Sequence, residues 1–369
     1  MIQRIWHLII KEFLALLKDK RSRFVVIVPP LVQLMVFGYA ATFDLNDIPY
    51  ALYNEDRGEL SQQVLARLRG STIFTEVREI RRDRDIAPLI DHRQVLFVIH
   101  FGPRFSERQA RGGTAPIQIL IDGRNSNTAL ITLGYLRTIL ADFNLQWLQR
   151  QGQASPPAFL ETRAWFNESL QSRWFIVPGI VALLTLVVTM VTTALTVARE
   201  REQGTFDQLL VTPITPFEIL MGKSIPPFII GLLEGSLIVA VAIFWFEVPF
   251  RGTWWILYTG MSLYLLAAIG VGLMISSLSV TQQQGLLGAF LFIVPAVILS
   301  GFATPIENMP EFVQAITYLD PMRYFLVIVR STFLADSPFT ILWPQFWPMA
   351  LIGLFNLALA AWLFRHRLY

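Results

Sequence analysis

The sequence predicts an α-helical integral membrane protein: six transmembrane helices, an interfacial amphipathic helix at the N-terminus, an α/β extracytoplasmic domain between the first two spans, and short re-entrant helices between the fifth and sixth. Three observations carry this expectation. The 369 residues are 54% hydrophobic and only 15% charged, with mean hydropathy +0.50, far from the balance of a soluble protein. Six stretches hold about the 20 mostly apolar residues that a helix needs to cross a ~30 Å hydrocarbon core. Residues 44–173, by contrast, carry the charge density of an ordinary folded domain.

Residues 1–23 place Ile2, Ile5, Trp6, Ile9, Ile10, Phe13, Leu16 and Leu17 on one helical face, with Arg4, Lys11, Lys18 and Lys20 largely away from it. That pattern is a helix lying in the cytoplasmic membrane interface, in contact with lipid. The expected spans are Phe24–Phe43, Trp174–Ala198, Ile225–Phe246, Trp254–Leu278, Leu286–Ala303 and Phe346–Phe364. The fifth contains Pro295, which packed neighbours can accommodate. No small-residue cleavage site follows the first, which reads as an uncleaved span. Basic residues set the orientation. Arg4, Lys11, Lys18, Lys20, Arg21 and Arg23 precede the first span, Arg199, Arg201 and Lys223 follow the second, and Arg365 and Arg367 follow the sixth. Both termini and the 199–223 loop are therefore expected in the cytoplasm.

Within 44–173, the segments 48–56, 71–80, 94–101 and 115–122 are rich in β-branched and aromatic residues and read as strands. Residues 58–69, 83–91 and 104–112 between them have helical spacing, so the domain is α/β. A turn at Gly123 and Asn125 leads into a long helix that ends before Ala154-Ser155-Pro156-Pro157. Asp122, Arg124 and Asn127 there suit either the start of that helix or a ligand. Residues 300–336 are too apolar for a free loop and too broken by Pro305, Pro310 and Pro321 to cross, which points to short helices re-entering from the outer face.

Several kinds of chemistry are excluded. Without cysteine there are no disulfides, thiolate metal sites or cysteine nucleophiles, and His7, His92, His100 and His366 lack metal-ligand spacing. A net charge of +3 with no concentrated basic face argues against nucleic acid. No nucleophile or carboxylate pair converges as an enzyme would need. Gly222-Lys223-Ser224 imitates the end of a phosphate-binding loop. Such a loop needs glycine where this chain has Phe217, because its backbone must curl to aim successive amides at phosphate oxygens. Lys223 reads instead as the basic flank of the third span. Neither a catalytic site nor a cofactor or metal site is expected in this chain.

The polar stretch from Arg199 to Leu220 carries ordered turn and cap signals. Gly204 with Thr205 opens a short helix with an apolar edge of Phe206, Leu209 and Leu210, Thr212-Pro213 stops it, and a second short helix follows Thr215-Pro216. A hairpin of this kind, bracketed by Arg199-Glu200-Arg201-Glu202, is a compact surface knob.

The segment ALTVAREREQGTFDQLLVTPITPFEILMGK (194–223) resembles the hallmark of ABC-2 type transport permeases. WFIVP (174–178), SSLSVTQQQ (276–284), LSGFATPIENMP (299–310) and DPMRYF (320–325) follow in the family's order, and ILIDGRNSNTA (119–129) is similar to the subgroup with a large periplasmic domain, the bacterial multidrug-type permeases. The resemblance covers essentially the whole chain. It implies an inner-membrane permease subunit of an exporter for drugs or other amphiphiles, working as a homodimer or with a sister permease. It further implies a separate ATP-binding cassette ATPase that binds ATP and Mg, and a periplasmic adaptor with an outer-membrane channel. Carried over residue by residue, Glu200, Arg201, Glu202, Gly204, Thr205, Leu209 and Pro213 would contact that ATPase.

Glu234 lies inside the third span, where a carboxylate is costly and marks either a site for a cationic substrate or a hydrogen-bonded packing element beside Gly231 and Gly235. Two rival readings remain: an exporter of lipid or glycan conjugates, and an ion-coupled secondary transporter. The second predicts repeated halves with paired broken helices and several intramembrane charges.

Overall fold

The computed structural model describes residues 2–18, 20–40, 45, 47–56, 58–152, 165–167, 171–206 and 214–367. The chain divides into two compact units, Phe43–Arg163 and Met1–Thr42 with Ala164–Tyr369.

In the first unit the strands β1 (Ile48–Asn54), β2 (Phe74–Ile80), β3 (Phe97–Phe101) and β4 (Ile117–Ile121) form one sheet in the order β2-β1-β3-β4. β1 runs parallel to β2 and β3, and β4 is antiparallel to β3, with Tyr50 opposite Phe97 and Phe97 opposite Ile121. Alternation along β1 sends Ile48, Tyr50 and Leu52 to one face and Ala51 and Tyr53 to the other. The first set packs under α3 (Glu59–Gly70), α5 (Phe105–Ala110) and α6 (Ser126–Arg150) through Leu65, Leu68, Phe105 and Leu136. The second is covered by Ile86 and Leu89 of α4 (Ile86–Asp91). Cover on both faces is what parallel strands require.

The polar cluster after β4 is structural. Asn125 caps α6, its side chain accepting from the Thr128 amide at 3.3 Å. Arg124 forks onto Asp122, Nε to Oδ1 at 2.8 Å and Nη2 to Oδ2 at 2.7 Å, and also donates to the Ile90 carbonyl at the end of α4. The guanidinium holds the Asp122 carboxyl down at about 2, so this latch contributes stability at neutral pH that disappears only as pH falls below the ordinary carboxylate range toward 2.

The second unit comprises α1 (Ile2–Lys18), α2 (Lys20–Ala40), α7 (Ser172–Glu202), α8 (Pro216–Phe244), α9 (Trp254–Leu278), α10 (Gln282–Leu299), α11 (Glu311–Thr317), α12 (Pro321–Leu334) and α13 (Phe339–Arg367). By length and composition five of the described helices can cross a membrane: α7, α8, α9, α10 and α13. A sixth is possible if α11 and α12, which meet at 77°, count as one broken span, and α2 adds the apolar stretch Val28–Tyr39.

Helix α7 is the hub, packed by α2, α8, α9, α10 and α12. Its five threonines are all buried, and Thr185, Thr192, Thr193 and Thr196 return their hydroxyls to carbonyls three or four residues earlier. In apolar surroundings that is how a hydroxyl avoids the cost of an unmade hydrogen bond. Close approach elsewhere relies on glycine: a Cβ on Gly270 of α9 would stand 2.6 Å from Asn356 Cβ and 2.8 Å from backbone atoms of α13.

Helices α2 and α10 start four residues before the expected Phe24 and Leu286, and three further boundaries are corrected. Helix α7 continues through Arg199–Glu202, which are its last turn and not a separate bracket. Helix α8 starts at Pro216, nine residues before the expected Ile225, so the second short helix of the hairpin is the opening of a long one. Its start is fixed by a capping box in which Thr215 Oγ1 accepts from the Glu218 amide while Glu218 accepts from the Thr215 amide at 2.8 Å, with Pro216 at the first helical position. Helix α13 begins at Phe339, seven residues before the expected Phe346, and takes in both Pro344 and Pro348.

Candidate functional site

Four charged side chains from three helices meet where α1, the end of α7 and the start of α8 come together. Lys223 on α8 lies 2.6 Å from Glu200 Oε2 on α7 and donates to Glu12 Oε1 on α1 at 3.0 Å. Lys11 on α1 pairs with the other oxygen of Glu200. Lys223, Glu200 and Glu12 are buried, whereas Lys11 is about half exposed. Two cations and two anions neutralise one another, the condition under which charge can be taken out of water. Beside the quartet, Leu8 of α1 seats on Gly222, where an added Cβ would stand 2.7 Å from the Leu8 Cβ.

The last turn of α7 reaches further. Arg201 Nη1 donates to the carbonyls of Ser277 at 2.8 Å and Ser279 at 3.3 Å, at the end of α9. Those are orphan carbonyls at a negative helix end, where a guanidinium is favoured. Its fork also sits 5.1 Å from the Phe206 ring. Glu202 Oε2 accepts from the Gln282 amide at 2.8 Å, satisfying an orphan donor at the start of α10. In Arg199-Glu200-Arg201-Glu202, the last three residues therefore bind α1 with α8, then α9, then α10.

Gly204 ends α7 with φ +68, its amide bonding to Arg201 O at 3.1 Å and that of Thr205 to Glu200 O at 3.0 Å, the paired bonds of a Schellman motif. Glu202, Gln203 and Gly204 are exposed, Arg201 and Thr205 half-buried, and Glu200 and Phe206 buried. Leu209 and Pro213, also expected here, lie outside the described residues, as does Leu210. Glu234 stands apart, eleven residues beyond Lys223 along α8.

Lys223 corrects its expected role. It is not a basic flank in water but the buried centre of the quartet. Gly222-Lys223-Ser224 is α-helical, with Ser224 Oγ bonded to the Leu220 carbonyl at 2.7 Å. Neither its backbone nor its lysine can cradle a phosphate. Periodicity alone does not mark Glu12, which falls outside the apolar face of α1. The signal is its isolation as the only acidic residue among the first 18.

Long apolar helices gathered around α7 define a multi-pass membrane protein, and the ion-paired junction gives that bundle one polar end where five helices are tied. Residues 20–362 match the family model described as ABC-2 family transporter protein. The chain is 38% identical over 353 residues, 95% of each chain, to a protein of Escherichia coli (strain K12) named probable multidrug ABC transporter permease YbhR. It is 35% identical over 341 residues to that strain's probable multidrug ABC transporter permease YbhS, covering 91% of this chain and 89% of the relative. It is 29% identical over 356 residues to the inner membrane transport permease YhhJ of the same strain, covering 95% and 94%. The chain belongs to the ABC-2 family of transporter proteins and is a membrane-spanning permease of an ABC exporter.

Proposed function

We propose that this permease exports drugs or other amphiphilic compounds, driven by a separate ATP-binding cassette ATPase that docks on residues 199–223 and holds the ATP and Mg. The observation that supports this most is the buried quartet. A push on the exposed tip at Glu202 and Gly204 meets a turn already locked to α1 and α8. It also meets the Arg201 and Glu202 bonds to the ends of α9 and α10. Displacement at the tip is then shared by five helices at once, as a conversion of ATP-driven closure into helix rearrangement requires. Glu200 acts in this scheme from beneath the contact and not on its surface.

In this reading both termini and the junction face the cytoplasm, α2 is the first span, the α/β unit faces the periplasm, and α11 with α12 re-enters from that side. A second copy or a sister permease completes the pathway, and a periplasmic adaptor with an outer-membrane channel carries substrate onward. The two relatives named as probable multidrug ABC transporter permeases support drugs as the cargo. The test is purification of the tagged chain from its own membrane, followed by reconstitution. A cassette ATPase is expected to co-purify, and the pair to hydrolyse ATP and export an amphiphile where the chain alone does neither. Purification of an intact, transport-active permease without any such ATPase would count against the reading.

A further inference from the structure

Thr189 is the exception among the threonines of α7: its Oγ1 is buried and has no partner. Glu234 of α8 is also unsatisfied: it is only 8% exposed, and both of its carboxyl oxygens lack a hydrogen-bond partner. Thr189 and Glu234 lie on packed helices, about one helical turn apart. A Cβ on Gly231, one turn before Glu234 on the packed face of α8, would stand 2.7 Å from Thr189 Oγ1. Glu234 is nine residues past Ile225 and ten short of the helix end at Phe244, about 14 Å into the apolar stretch and beyond the reach of lipid headgroups.

We propose that Glu234 and Thr189 form a subsite for a lipophilic cation within the membrane, a step that rests on the permease reading above and names its substrate class. An unpaired carboxylate at that depth is costly unless a counter-charge arrives, and no described residue is bonded to it. Charge on the permeant completes the site. Shape sets a second requirement. Leu233 and Leu237, beside Glu234 on the same helix, are 66% and 45% exposed, so the outer side of α8 next to the carboxylate is apolar. A primary ammonium would bring three donors into a site with few acceptors, whereas a quaternary or phosphonium centre with its charge shielded by hydrocarbon brings none. Gly231 and Gly235 keep α7 and α9 close on the inner side, Gly235 against Met261 and Thr185, so the cation is met at the edge of the bundle.

The test uses the assembled complex of this permease with its ATPase in proteoliposomes, and two probes of one shape and opposite charge, tetraphenylphosphonium and tetraphenylborate. The wild-type complex should bind the phosphonium, and Glu234→Gln should weaken that binding about thirtyfold or more. Thr189→Val, which removes an oxygen dipole near the cation and no hydrogen bond to it, should weaken it about threefold, while Glu234→Asp should restore most of what Gln loses. Borate binding should not change in any variant. Phosphonium affinity within twofold of wild type in Glu234→Gln, or an equal loss of both probes, overturns the proposal. Should Glu234→Gln fail to assemble, Thr189→Val decides alone, and an unchanged phosphonium affinity there overturns it. Phosphonium binding through Glu234 without ATP-driven export would sink the permease reading and leave the subsite; export with binding indifferent to Glu234 would sink the subsite alone.

Discussion

Replacing Lys223 with Met is expected to destabilise the membrane unit by about 3–5 kcal/mol, the cost of leaving buried carboxylates uncompensated. The side chain is 3% exposed and touches Glu200 and Glu12, each under 10% exposed, so no water can take its place cheaply. Lys11→Ala makes the contrast. Its ammonium is 45% exposed, and Glu200 would keep Lys223, so the loss should stay near the ~0–1 kcal/mol of a surface pair. The burial of the partner, not the count of ion pairs, decides which lysine matters. Thermal unfolding of the purified protein in detergent checks both. Adding Glu200→Gln and Glu12→Gln to Lys223→Met should recover much of the loss, because neutral amides no longer need a cation. Equal effects of the two lysine variants would contradict the assignment of Lys223 as the centre.

Gly204→Val is expected to lower ATP-driven transport about tenfold or more while the protein still reaches the membrane. A β-branched residue at φ +68 costs about 1–2 kcal/mol and drives the backbone out of the left-handed region. The Schellman bonds from Gly204 and Thr205 are then lost and the chain leaves α7 in another direction. Nothing lies within 4 Å of a Cβ at this position, so the effect comes from backbone conformation and not from a clash. Gly204→Asn, which tolerates that conformation, should transport within twofold of wild type. Export per ATP hydrolysed in proteoliposomes distinguishes loss of coupling, where the ratio falls, from simple loss of protein, where it holds. A Val variant that couples normally would mean that the exit direction of α7 is unimportant.

Much of the architecture is legible in sequence because each signal has a local cause. Strand alternation in 48–54 and 97–101 fixes which residues face each helix layer, and Thr215-Pro216 with Glu218 announces a helix start. What the sequence hides is how far helices run past their apolar stretches. Arg199–Glu202 reads as a polar bracket and Pro216–Lys223 as the start of a separate short helix, yet both belong to long helices, and α1 and the ends of α9 and α10 supply partners for their charges. The same long-range pairing turned Lys223 from a solvated flank into a buried centre. Glu12 and Glu200 are 188 residues apart, and only tertiary structure brings them to one lysine. Glu234 was legible, since a carboxylate in an apolar run is conspicuous; Thr189 was not, being one of five threonines on α7 until the hydrogen bonds of the other four are known.

In the proposed function, the exposed tip after α7 is where another protein's ATP hydrolysis enters this one. The chain has no cysteine, so Glu202→Cys provides a single exposed attachment point for a photoactivatable maleimide, and Glu307→Cys, exposed between α10 and α11, provides the opposite-side control. In membranes holding the complete complex, the probe at position 202 is predicted to cross-link to the cassette ATPase and the probe at 307 not to do so. Cross-linking of the ATPase from 307, or its absence from 202 in an assembled complex, would rule out the tip after α7 as the ATPase contact.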